Sequence, residues 1–165
     1  MTIPSRAPLR HSRLALCSLM ALIALLMSPN LAWLWQQHGL IAFVNAFVVP
    51  IALIGLLLAI LGERLWLACL VLSPFSVLAP IEFFYVIRYG HPSTAEVLGT
   101  VLATNPGETI GFFGWNLIPL LVSMLAGLGL ALAASRLCYL GRLQWKGRIR
   151  EWILISAGTL PPTFF

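Results

Sequence analysis

The chain has no aspartate in its 165 residues, and five glutamates with ten basic residues leave it only 9% charged. A soluble globular domain carries about a quarter charged residues, so that class is excluded. With no aspartate and three histidines scattered at His11, His38 and His91, these residues cannot build a hydrolase-like zinc centre. Such a centre needs several Asp and His ligands beside an activated nucleophile. Cysteine is also sparse: Cys17, Cys69 and Cys138 lie far apart in apolar runs, with no C-x-x-C pair and no histidine at ligand spacing. They read as small lipid- or core-facing residues rather than a disulfide or metal site. What abounds is apolar side chain, 60% of the sequence, with a mean hydropathy of +0.95. This is the composition of an integral membrane protein.

A helix crosses the hydrocarbon layer with about 20 mainly apolar residues at 1.5 Å each. Residues 14–35, 40–61, 65–87 and 112–134 meet that test, while 152–165 begin a fifth apolar segment of only fourteen residues. Arg6, Arg10 and Arg13 before the first span resemble the charged start of a signal peptide. The apolar stretch outlasts a signal core, however, and no A-x-A-like site follows it, which favours an uncleaved anchor. Basic residues near span ends are retained in the cytoplasm. With the N-terminus inside, nine of the ten lie on that side, and only Arg88 falls outside. The expected fold is therefore an all-α, multi-pass helical bundle: four full spans, an incomplete fifth, and the N-terminus inside. Its parts are a basic cytoplasmic N-terminus (1–13) and a transmembrane domain (14–165), with an outer loop at 88–111 and a basic cytoplasmic loop at 135–150. The run from Arg142 to Arg150 interleaves charge with Trp145. Beside a span this reads as an interfacial segment for anionic lipid heads, with Trp145 and Trp152 at headgroup level, rather than as a nucleic-acid site.

Ionisable groups inside spans are costly, about 2.5–3.5 kcal/mol near the midplane, and mark protein interiors or watery cavities. Glu82, late in the third span, is the one that qualifies. It is either a carboxylate reaching the outer interface beside Arg88 or part of a polar stripe, since Leu78, Glu82, Tyr85 and Tyr89 share a helix face. Asn45 and Asn116 have the character of interhelical hydrogen-bonding groups. Pro50, Pro74, Pro80 and Pro119 are expected to kink or break their helices. In the outer loop, Val97, Leu98, Val101 and Leu102 give the one-sided pattern of a short amphipathic helix on the membrane surface. Asn105-Pro106-Gly107-Glu108 then fits a helix start, with Asn as N-cap, Pro first and Glu third. The cap alone explains that sequence. Yet Thr104 and Glu108 also offer a hydroxyl and a carboxylate to an ammonium group, and a helix N-terminus offers N–H groups to phosphate. A phosphoethanolamine headgroup would use both.

Thr104-Asn105-Pro106-Gly107-Glu108, preceded by Pro80-x-Glu82-x-x-Tyr85 and Tyr89-Gly90-His91-Pro92, resembles the N-terminal membrane domain of inner-membrane phosphoethanolamine transferases, which belong to the alkaline phosphatase superfamily. Those enzymes modify lipid A or lipopolysaccharide core in Gram-negative bacteria. The resemblance covers most of the chain from about Leu65 to Arg150 and implies five spans with a T-N/D-x-x-E-type motif in the periplasmic loop. It implies that Thr104 and Glu108 line a cavity for phosphatidylethanolamine, with Thr100, Asn105, Glu82 and Tyr85 around them. Thr100 stands where lipid A enzymes often have Asn. Zinc and the phosphoryl-carrying threonine belong to the family's periplasmic catalytic domain, which these residues do not supply. The resemblance is to a lipid-donor domain alone, a truncated or split form inactive by itself, with no cofactor of its own. Its implied partners are membrane lipids and a separate periplasmic catalytic domain, and its implied location is the bacterial inner membrane.

A different class of function is a non-enzymatic multi-pass protein with an assembly or interaction role. A small transporter ranks behind both, because its sole intramembrane charge would be Glu82 near one surface. Phosphatidylethanolamine binding by the purified chain separates the first two. Thr104→Ala and Glu108→Ala weaken binding if the loop holds the headgroup; they lower thermal stability and leave binding unchanged if it only caps a helix.

Overall fold

The structure, a computed structural model, describes residues 7–37, 39–93, 105, 107, 111, 113–145, 147, 148 and 150–153. It is all helical, 89% helix, with no strand among the described residues. Four helices are long and apolar enough to cross a membrane, the architecture of a multi-pass membrane protein. They are α1 (Ala7–Gln36), α2 (Leu40–Ile60), α3 (Leu65–Tyr89) and α4 (Leu117–Leu140). Their spans follow the hydropathy closely except that α1 begins at Ala7 rather than near Leu14 and α4 continues to Leu140 rather than stopping near Ala134. Arg136 lies inside it with its side chain exposed; a long basic side chain keeps its charge in polar surroundings while its stem covers apolar surface, so it does not end a helix. The expected amphipathic helix and the fifth segment from residue 154 lie outside the described residues.

Helices α1, α3 and α4 form the core. Ala15, Leu19 and Leu22 of α1 pack with Leu65, Ala68, Cys69 and Leu72 of α3 and with Ala131, Ala134 and Cys138 of α4, all buried. Cys17, by contrast, is exposed. The small residues let the helix backbones approach closely, which matters in lipid because the solvent is as apolar as the side chains. One close approach stands out. A Cβ on Gly127 of α4 would overlap the carbonyl oxygen of Ser76 in α3.

That carbonyl is special because Pro80, four residues on, has no N–H to return to it. The other prolines follow a related logic, and the helices run through them instead of breaking as expected. Pro74 leaves the Leu70 carbonyl without its usual donor, and the Ser73 hydroxyl donates to it at 2.7 Å. In α1 the Ser28 hydroxyl donates to Leu25 O at 2.7 Å, the carbonyl that Pro29 would orphan. In each Ser-Pro pair the serine replaces the bond its proline removes, a repair available inside a membrane where water is not. Pro119 sits in the first turn of α4, where an N–H has no helical partner anyway. Pro50 follows a wider π-turn at Val44–Val48, in which Val49 N–H reaches Val44 O.

Helix α2 lies to one side and is joined at the Arg64 end by the segment after α4. Trp145 N–H donates to Gly62 O at 2.7 Å, and Arg150 Nε donates to Ala59 O at 2.8 Å in the last turn of α2. A cation is favourable at that helix terminus. Arg150 also pairs with Glu63 at 3.6 Å. Trp145 is half-buried against the core. The basic segment thus turns two of its interfacial candidates inward, while Arg142, Arg148 and Trp152 stay exposed.

Gly127→Ala is expected to cost about 3 kcal/mol, because the new methyl meets backbone and not a side chain that can move. Gly129→Ala, where a Cβ meets nothing within 4 Å, is expected to stabilise by about 0.5–1 kcal/mol through helix propensity. Reversible unfolding in detergent reads both.

Candidate functional site

The far end of the core, around His91, carries the polar groups the bundle otherwise lacks. Helix α3 ends at Tyr89, and Gly90 takes a left-handed conformation (φ 78°). Its N–H closes onto Val86 O at 2.8 Å. That ending is one a side-chain-free residue adopts without strain. The Gln36 amide at the end of α1 donates to the same Val86 oxygen at 3.3 Å, tying the two helices together.

The reversal at Gly90 brings the chain back to Glu82. Ser93 N–H donates to Oε1 at 2.8 Å and the Ser93 hydroxyl donates to Oε2 at 2.5 Å. Both carboxylate oxygens are therefore engaged. Glu82 takes Ser93 rather than Arg88, which stays exposed in the last turn of α3, where a cation complements the helix dipole. Beside this clasp Tyr85 and Tyr89 lie with ring centroids 4.6 Å apart, and His91 meets Tyr85 edge-on at 5.6 Å. His91 Nδ1 is 3.0 Å from Pro92 O. Two of the four lone-pair sites on Glu82 remain for another donor, and the neighbouring rings suit a cation.

An open groove of about 460 Å³ runs between α1, α3 and α4. Pro80, Phe83, Phe84 and Ile87 line it from another face of α3 than the one that carries Glu82 and Tyr85; Leu25 and Ser28 of α1 and Asn116, Pro119, Leu120 and Ser123 complete it. Its size falls within the range of about 300–1,000 Å³ usual for small-molecule sites. Ser28 and Ser123 donate their hydroxyl protons to Leu25 O and Leu120 O of their own helices. They face the groove as weak acceptors, which keeps it predominantly apolar.

Of the sequence candidates, Glu82 and Tyr85 come together here. Asn105 is described and exposed; it precedes helical Gly107, whose Cβ, if present, would lie 3.3 Å from Asn105 Oδ1. Thr100, Thr104 and Glu108 lie outside the described residues. Asn45 and Asn116 are both exposed and make no bond across helices to a described residue, contrary to expectation. Their positions along the chain could not show which way each faces. Ser93 and His91 went unrecognised as partners of Glu82 and Tyr85, although Gly90 after an apolar helix is a signal for such a reversal. Among the described residues no three of His, Cys, Asp and Glu come together as metal ligands. No known protein family, no characterised protein and no solved structure matches this chain.

A double-mutant cycle measures the clasp. Glu82→Ala is expected to cost about 2 kcal/mol because charge-assisted bonds are lost. Ser93→Ala removes only the hydroxyl bond and costs about 1 kcal/mol. The double variant should fall short of their sum by about 0.5–1 kcal/mol, the coupling of residues in direct contact.

Proposed function

We propose that this chain is the lipid-donor membrane domain of a phosphoethanolamine transferase acting on lipid A or lipopolysaccharide core, and that it binds phosphatidylethanolamine in a bacterial inner membrane. The N-terminus lies in the cytoplasm, because that orientation keeps nine of ten basic residues inside, and the His91 end then faces the periplasm. The observation that carries this reading is the half-buried Glu82 carboxylate, with acceptor capacity to spare, beside a cluster of aromatic rings at the His91 end. The ammonium headgroup would lie near Glu82 and Tyr85. Thr100, Thr104, Asn105 and Glu108 would close over the phosphate and amine. Phosphoryl transfer itself would need a zinc-dependent catalytic domain outside these residues.

A second reading draws on the clasp. With both Glu82 oxygens already held by Ser93, the polar end serves to fasten the loop onto α3, and the protein is a non-enzymatic multi-pass component of an assembly.

Lipid binding to the purified chain, read by native mass spectrometry, distinguishes them. Under the first reading phosphatidylethanolamine binds in preference to phosphatidylcholine. Glu82→Gln, which removes the charge the ammonium group would meet, then weakens binding at least fivefold, while Ile118→Phe on the exposed surface of α4 does not. Equal binding of the two lipids, unaffected by Glu82→Gln, leaves the non-enzymatic reading.

A further inference from the structure

Helix α2 is packed unlike the other three. Only 6% of its most apolar stretch is buried, against 28%, 33% and 22% for the spans containing α1, α3 and α4. Most of its surface is exposed and apolar, and one line of it carries Ile41, Val48, Val49 and Leu53, all more than two-fifths exposed. One residue breaks that stripe. Asn45 lies between Ile41 and Val49 at helical spacing, is itself exposed, and hydrogen-bonds to no described residue.

Depth makes this costly. The 21 residues of Leu40–Ile60 match a hydrocarbon layer of about 30 Å. Asn45, five residues in, lies about 7.5 Å below its edge, further than its short side chain reaches. An amide there presents two donors and an acceptor to lipid, which satisfies none of them. The backbone adds to the deficit. Val49 turns its N–H to Val44 O, and Pro50 has none, so neither of the usual donors is left for the Asn45 carbonyl. Side-chain amide and main-chain acceptor thus meet at one point on an unpartnered apolar face.

An asparagine amide is self-complementary: it donates and accepts in one plane, so two related by a two-fold axis satisfy each other. Paired asparagines at otherwise apolar helix interfaces set partner and register in this way. We propose that α2 is the contact face of a homodimer, in which two copies of the chain pack along Ile41, Asn45, Val49 and Leu53 with their Asn45 amides bonded across the axis. Ile41, Val49 and Leu53 provide the van der Waals contact and Asn45 fixes the register. The core of each copy, α1, α3 and α4, stays free, as does the groove.

The test uses full-length chain labelled at its N-terminus with donor or acceptor dye and reconstituted into phosphatidylcholine vesicles over a range of protein-to-lipid ratios. Energy transfer should saturate with the stoichiometry of a dimer. Asn45→Leu, which replaces an exposed polar group with a lipid-compatible one and leaves helicity intact, should raise the protein density needed for half-association about tenfold, the loss of two interhelical amide bonds. Asn45→Gln should stay within about threefold of the original chain, since its amide pairs likewise. A chain that stays monomeric throughout, or an Asn45→Leu protein that associates like the original, overturns the proposal; the second result means that copies meet elsewhere. So does an Asn45→Gln protein that dissociates as readily as Asn45→Leu.

Discussion

The Ser76 carbonyl lies against the backbone of α4 at Gly127, and the packing of the bundle follows from that contact. Pro80 takes away the N–H that would have closed the turn, which leaves an oxygen at membrane depth with no water to satisfy it. A glycine opposite allows the neighbouring backbone to come close enough for a Cα–H contact, worth about 0.5–1 kcal/mol, where any side chain would hold the helices apart. Leu25 of α1 lies beside the same point, so three helices converge there. Alanines at positions 15, 68, 131 and 134 continue the close approach along the core. In lipid no hydrophobic force gathers helices, and such close contact has to do so instead.

The two ends of this core are built differently, and each difference traces to local chemistry. At the Arg64 end the chain after α4 returns under α2, where the Trp145 N–H and the Arg150 guanidinium satisfy the carbonyls of Gly62 and Ala59, Glu63 pairs with Arg150, and buried Gly62 makes room for them. At the His91 end a left-handed glycine reverses the chain so that Ser93 meets Glu82. The first is a structural seam that holds an otherwise loosely packed helix. The second leaves a carboxylate with spare acceptor capacity beside three aromatic rings, while another face of α3 lines an apolar groove.

Much of the fold was legible in composition. A run of about 20 apolar residues has one stable form in hydrocarbon, since every backbone group must be satisfied within the segment. Most span ends were therefore readable to within a few residues, but α1, which begins at Ala7, and α4, whose Arg136 turns outward, were read short. Prolines misled in the other direction. Pro74 was expected to kink or break its helix, but Ser73 stands immediately before it and supplies the missing bond, as Ser28 does before Pro29. That pattern was present in the sequence and could have been used.

The site was legible only in part. Glu82 stood out because a charge inside a span is costly, and Tyr85 because it shares its face. Their partners depend on where Gly90 sends the chain, which a one-dimensional pattern does not contain. Asn45 and Asn116 make the same point: each was visible as a polar residue in an apolar run, but whether it faced a neighbouring helix or lipid depended on how the helices rotate about their axes. The sequence by itself determined the number of spans, their length and their helical state, because burying backbone in hydrocarbon is a local requirement met within each segment. Tertiary structure alone decided which carbonyl meets Gly127, which group holds Glu82 and which face of α2 is left bare. Those contacts join residues far apart in the chain, and packing, not hydropathy, sets the rotation that brings them together.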